Sequence, residues 1–273
     1  MKLGCNLSNE LIELIKSKGV NIDCIKIMLK ELNEEIPNDY KSFGEILLHG
    51  VGNDIPQHTG AILQKKIDWK ELNKKIEFCG CSHIGVHCAT YWSDWSVSEI
   101  TYDMVKDRMS NFIKEWKKNI NTKLLIENVP YTPYYEKNKP GIIRHSVDSK
   151  LFNELCDEND IGLLLDVAHA KVAAHGLNMD LKLYLSQLPL NLVEEFHVVG
   201  TRSCDDGTLR DNHLEMDDFD YKIVEWLLER TSPKIVTLEY GGFGEHYSWR
   251  SDINAIQRQI CMLQGIIRKF KQI

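Results

Sequence analysis

Short apolar runs alternate with longer segments of helical period from one end of this 273-residue chain to the other, the pattern of parallel strands joined by crossover helices. Eight runs read as strands: residues 2–6 (KLGCN), 23–27 (DCIKI), 46–49 (ILLH), 84–88 (IGVHC), 124–127 (LLIE), 162–166 (GLLLD), 195–199 (EFHVV) and 235–239 (IVTLE). The segments between them, among them TYDMVKDRMSNFIKEWKKN and DFDYKIVEWLLER, place apolar side chains three and four positions apart, and Ser8 and Ser149 stand where helix caps belong. A last helix over residues 252–270 would close the ring. Eight such units in a chain of this length predict an α/β protein folded as one (β/α)8 TIM barrel. No linker or low-complexity stretch divides it, so residues 1–273 read as a single domain.

With 43% hydrophobic and 27% charged residues the chain has the apolar content that a globular core needs. Its net charge of -7 gives no general attraction to nucleic acid or to an anionic membrane surface, so neither is an expected partner. The opening MKLGCNLSNELIELIKSKG goes straight into an amphipathic pattern without the apolar core of a secretory signal, and no apolar run is long enough to span a bilayer. The eight cysteines are scattered through a chain too large to need staples, and they read as reduced thiols of a cytoplasmic protein. Cys79, Cys81 and Cys88 are near enough in sequence for a sulfur-rich metal site, yet small core residues on a strand and its entry explain them more simply.

Strands buried on both faces should be apolar throughout, so a charged or imidazole side chain at the end of one needs a reason. Six of the eight runs have such a residue: His49, His87, Glu127, Asp166, His197 and Glu239. In a (β/α)8 barrel the carboxyl ends of all strands converge on one mouth, which would bring these six together. Asp166 also opens a DxxH with His169, and Asp211 opens a DxH with His213 in the long loop after the seventh strand. Taken singly, a DxxH is commonly a capping Asp followed by a surface His; the argument rests on recurrence at the same place on successive strands. Four carboxylates and five imidazoles in one apolar cup would repel and protonate unless cations held them ionised, and they exceed the needs of one ion. Two or three metal ions fit the count. The remaining histidines, His83 before its strand and His58, His145, His175 and His246 in loops, read as solvated or capping residues, with His246 in GGFGEHYSW the one placed to meet substrate.

The segments HGVG (49–52), LLIENVP (124–130), GLLLDVAHAKVAA (162–174) and YLSQLPLNLVEEFHVVG (184–200) resemble the multinuclear non-heme iron-dependent oxidative enzymes, over nearly the whole chain from the third strand onward. The resemblance implies a xylose isomerase-like barrel that uses two or three Fe(II)/Fe(III) ions and O2 to modify a ribosomally synthesised precursor peptide in natural-product biosynthesis. It implies cysteine as the usual target and a partner protein that binds the peptide leader. It further implies that His49, His87 and Glu127 hold one ion, that Glu127, Asp166, His197 and Glu239 hold a central one, and that His169, Asp211 and His213 hold a third. Glu127, Asp166 and His197 are then the catalytic residues, and Asn6, Asn128, Thr201 and His246 the substrate contacts. The chain departs from the family pattern around that mouth: residues 4–8 read GCNLS instead of Gly-x-Gly-Leu-Arg, Gly85 replaces a Ser, Ala168 an Asn, Val199-Gly200-Thr201 an Ala-Gly-His, and Glu239-Tyr240-Gly241 a Glu-Trp-Asp. These differences bear on substrate more than on metal.

The same ligand order also resembles endonuclease IV, which implies, as an alternative, a trinuclear zinc phosphodiesterase acting on abasic DNA. The HGVG, ENVP and LPLNLVEE segments and the acidic balance favour the oxidative family. A sugar isomerase of related barrel type would need fewer imidazoles, and a non-catalytic binding protein would not need so complete a donor set.

Overall fold

A computed structural model describes residues 1–29, 38–49, 67–134 and 141–271. Within them, eight parallel strands form a closed barrel: β1 (Lys2–Asn6), β2 (Cys24–Met28), β3 (Glu45–His49), β4 (His83–His87), β5 (Lys123–Glu127), β6 (Gly162–Asp166), β7 (Val193–Val198) and β10 (Ile235–Leu238), which pairs back onto β1. Every run read as a strand is one, with bounds shifted by at most two residues. The long loop after β7 differs from the expectation: it folds into an antiparallel hairpin, β8 (Gly200–Ser203) and β9 (Leu209–Leu214).

The helices α1 (Asn9–Lys16), α2 (Trp69–Cys79), α3 (Tyr102–Asn119), α4 (Ser149–Asn159), α5 (Val167–Gly176), α6 (Leu181–Ser186), α7 (Asp218–Leu228) and α8 (Ile253–Lys271) accompany the barrel strands. Ser8 caps α1, its hydroxyl accepting from the Leu11 amide, as expected. Ser149 does not cap α4. Asp148 does, and Ser149 is the first helical residue, because the Asp148 carboxylate already accepts from the Lys150 amide. In α8 the buried residues Ala255, Ile256, Ile260, Leu263, Ile266 and Ile267 recur every three or four positions on the inner stripe. Each of the large ones contributes about 1.5–3 kcal/mol by leaving water. Among the described residues, no helix is long and apolar enough to cross a membrane.

Side chains alternate faces along a strand, so the residue two positions before each mouth residue also points into the barrel. That lower layer contains Gly4, Leu47, Gly85, Leu125, Leu164 and Thr237. Its packing is tight: a Cβ on Gly85 would lie 2.3 Å from a Leu164 methyl, and one on Gly4 2.9 Å from the Thr237 hydroxyl. The interior is thus filled beneath the mouth and presents a floor on which polar groups can stand. Cys79, Cys81 and Cys88 are buried free thiols at the end of α2, before β4 and after β4, in line with the simpler reading.

Candidate metal centre

All eight wall strands present a polar side chain to the mouth: Asn6, Lys26, His49, His87, Glu127, Asp166 and His197 from β1 to β7, and Glu239 directly after β10. Asp211 and His213 arrive from β9. The nine residues singled out in the sequence meet in one cluster. Glu127, Asp166, His197 and Glu239 are all at most 4% exposed, and His49 and His169 are buried with them.

Three trios of donor atoms each lie within 4.8 Å of one another: His49, His87 and Glu127; Glu127, Asp166 and His169; and His49, His197 and Glu239. His197 Nδ1 faces Glu127 Oε1 at 3.1 Å, Glu239 Oε1 at 3.3 Å and Asp166 Oδ2 at 3.9 Å. On the hairpin side Asp211 Oδ2 lies 3.2 Å from His169 Nε2 and 3.3 Å from His213 Nε2. His213 reaches this position with a left-handed backbone, φ 48°, a conformation that costs a non-glycine residue about 1–2 kcal/mol.

Asp166 has two duties. Its Oδ1 caps α5 by accepting from the His169 amide at 2.7 Å, and its Oδ2 points into the cluster. The capping reading of a DxxH therefore holds for Asp166, but His169 is 5% exposed and no surface residue. The His169 Nδ1 lies 2.8 Å from the Asn128 carbonyl oxygen, which can only accept, so Nδ1 carries a proton; Nε2 donates to Asp211 at 3.2 Å and is the nitrogen left to a metal once its proton is displaced.

The charges are badly matched as they stand. Burial, with Glu239, Asp211 and Glu127 adding to it, pushes the Asp166 carboxyl far above its usual range against the pull of His169. Burial acts the same way on Glu127, but His87, His49 and His197 outweigh it and hold that carboxyl well below the usual range. Burial and Lys26 press His197 down; Glu239 and Glu127 overcome both and raise it to about 10. Four buried donor atoms, His87 Nε2, Glu127 Oε2, Asp166 Oδ2 and His213 Nδ1, make no hydrogen bond. A buried polar atom left unsatisfied costs about 1–3 kcal/mol. Imidazole nitrogens and carboxylate oxygens converging in this way fit divalent first-row metals, which would satisfy all four.

Two elements of the cluster escaped the sequence reading. Lys26, 3% exposed, ion-pairs with Glu239 and lies 3.2 and 3.3 Å from the two ring nitrogens of His197. Glu195, 2% exposed, accepts from Thr237 Oγ1 at 2.5 Å, contacts His83 Nε2 at 2.5 Å, and lies 3.4 Å from His197 Nε2. His83 is accordingly not the solvated or capping residue expected. It is the first residue of β4, 8% exposed, and pairs with Glu195 inside the barrel because the strand begins one residue earlier than its apolar run.

Above the cluster opens a cavity of about 650 Å³ whose wall includes Asn6, Tyr91, Tyr131, Tyr247, Trp249 and Arg250. Asn6 reaches it as expected, its Nδ2 donating to the Glu239 carbonyl at 3.0 Å. Asn128 does not line it. Its fully buried amide is spent on the backbone of Asp166, donating to the carbonyl and accepting from the amide, both at 2.9 Å, so it clamps β5 to β6. Thr201 is half-buried on β8 and also stands outside the cavity wall. His175 lies in the last turn of α5, against the Gly207 carbonyl at 2.9 Å, and His145 in a half-buried turn edge-on to Tyr102. His58, residues 50–52 of the HGVG segment and the side chain of His246 lie outside the described residues.

Closed parallel barrel and mouth cluster together define a TIM barrel with a candidate metal centre. The IOLI protein, solved with a zinc atom bound, superposes with a TM-score of 0.63 at 17% identity, covering 99% of each chain. A putative xylose isomerase from Rhodospirillum rubrum does so with a TM-score of 0.60 at 13% identity, over 97% of this chain and 99% of that one. At these identities the likeness concerns fold alone. The family is given by sequence: residues 38–253 match the model of the RiPP precursor modification enzymes MbnB/TglH/ChrH, and the chain belongs to that family. A UPF0276 protein of Bordetella pertussis is similar as well, 26% identical over 206 residues, 72% of this chain and 68% of that protein.

Proposed function

We propose that this protein is an iron- and dioxygen-dependent oxidoreductase that modifies a ribosomally synthesised precursor peptide at cysteine, in the cytoplasm, with a leader-binding partner protein delivering the peptide. The observation that carries the reading is the family match over a mouth where four buried donor atoms make no hydrogen bond. His49, His87, Glu127, Asp166, His169, His197, Asp211, His213 and Glu239 supply the donors. Bound iron would contribute the one-electron chemistry with dioxygen and a seat for the substrate thiolate.

The protein's share of the work is positioning. Asn128 fixes Asp166, Glu195 fixes the ring of His197, and the Asn128 carbonyl fixes the tautomer of His169. Neighbouring aromatic walls from Tyr91, Tyr131, Tyr247 and Trp249 suit the end of an extended peptide and keep bulk water from the reacting carbon.

Anaerobically purified protein should contain iron and take up dioxygen when a cysteine-bearing peptide is added. Glu127→Ala and Asp166→Ala should each abolish metal loading while leaving the far-ultraviolet circular dichroism unchanged. Protein that binds zinc alone and cleaves abasic DNA would overturn the oxidative reading, and metal occupancy that survives both substitutions would overturn the centre.

A further inference from the structure

Lys26 has no part in the donor set yet reaches into it, and its position is at odds with three ions. Its β2 register places the Cα opposite Leu47, one step below His49, and the long side chain rises from there to the Glu239 carboxylate and the edge of the His197 ring. Glu239 and His197 are two members of the trio completed by His49. They also belong to the central set around His197 Nδ1. A divalent ion in either place would sit within a few ångströms of a buried ammonium, where the like charges repel with little screening by water.

The charge count points the same way. The carboxylates in and directly behind the cluster are Glu127, Asp166, Glu195, Asp211 and Glu239, five negative charges. Lys26 cancels one, and two divalent ions cancel the other four. A third would leave the buried cup positive, with Arg250 already buried beside the Glu239 carbonyl.

We propose that Lys26 is a built-in cation that takes the place of one metal ion beside His197 and Glu239, so that the centre holds two ions rather than three. The two lie in the remaining donor sets, one with His49, His87 and Glu127, the other with Asp166 and His169 and, beside them, Asp211 and His213. Glu239 is then chiefly the counter-charge of Lys26. The inference rests on the metal reading above and narrows it.

Ferrous iron alone is the probe: anaerobic loading, removal of loosely held ion, and iron per chain by atomic spectroscopy. The unaltered protein should retain about two ions, Lys26→Arg about two, and Lys26→Met about three, since removing the ammonium opens the vacated donors to a cation. Where circular dichroism shows Lys26→Met to be unfolded, Glu239→Gln decides, because its amide oxygen still accepts from the ammonium and about two ions should remain. Three ions in the unaltered protein, two in a folded Lys26→Met, or one in Glu239→Gln would each overturn the assignment. These results leave the metal reading standing, whereas a protein that retains no iron at all defeats both.

Discussion

Replacing Glu195 tests whether the polar network beneath the mouth is structural support for the centre. Glu195→Ala would remove the acceptor shared by His83 and Thr237, both at 2.5 Å, and the contact to His197 at 3.4 Å. Each buried donor left without its partner costs about 1–3 kcal/mol, and breaking a buried ionic contact from one side costs about 3–5 kcal/mol in total. The expected loss is therefore about 4 kcal/mol, which at a urea slope of about 3 kcal/mol/M moves the unfolding midpoint down by more than 1 M. Glu195→Gln keeps the volume and one acceptor, and should lose only about 1–2 kcal/mol. The double change His83→Leu with Glu195→Leu, which removes both partners together, should cost less than Glu195→Ala alone.

The pH dependence follows from the direction of the shift. Burial would raise the Glu195 carboxyl, but the hydrogen bonds from His197 and His83 outweigh it and hold it well below the usual range. A depressed carboxyl gives stability that is present above the unfolded value of about 4.3 and lost as the pH falls toward the folded one. The gap between the unaltered protein and Glu195→Ala should thus be full at neutral pH and shrink on acidification. Urea titrations of the metal-free protein, followed by circular dichroism, measure both effects. A loss under 1 kcal/mol for Glu195→Ala, or a gap that widens in acid, would refute the reasoning.

Two further outcomes follow from the geometry. The His197 imidazole, raised to about 10, stabilises the metal-free fold below its unfolded value of about 6.5 and loses that contribution as the pH rises through 10. Burial presses His169 down, but Asp166 and Asp211 overcome it and hold that imidazole well above its usual range, so metal binding near pH 7 must expel its Nε2 proton; calorimetry in two buffers of different ionisation enthalpy should show proton release on loading, and equal heats would count against it. A Cβ on Gly200 would lie 2.2 Å from the Glu215 carbonyl oxygen, whereas one on Gly265, in α8, meets nothing within 4 Å. Gly200→Ala should therefore destabilise by about 1–3 kcal/mol and Gly265→Ala stabilise by about 0.5–1 kcal/mol, read as opposite shifts of the thermal midpoint.

The barrel was legible because parallel strands buried on both faces leave unbroken apolar runs, and the donors because they interrupt those runs at their ends. The same signal was present at Lys26, but there it falls in the middle of CIKIM. A lysine can stand one layer lower than a histidine and still reach the mouth, so a reading confined to strand ends passes over it. Glu195 was taken as the start of a strand, where a charge is ordinary; two residues of Val193–Val198 precede it, and that shift turns a solvated end into a buried one. Asn128 adjoins Glu127 in sequence and was read as facing the mouth with it, yet successive side chains on a strand point oppositely. The pairing of Asp211 and His213 with His169 depended on a hairpin whose strands lack any apolar alternation, LRDNHL, and only the resemblance pointed to it.

That hairpin divides the centre by origin. Six of the nine donors are set by the stagger of a closed ring, where lengthening or slipping one strand displaces its neighbours, and His169 follows Asp166 in the first turn of α5. Asp211 and His213 hang from a two-stranded arm outside the ring, attached at Gly200 and Leu214. The arm takes no part in the hydrogen-bonded ring, which makes it the natural point of adjustment for the adjoining ion: its affinity, its rate of release and the open coordination positions it leaves. Grafting hairpins of other lengths and sequences into this place would retune one ion while the other, held by His49, His87 and Glu127, stays as the barrel sets it.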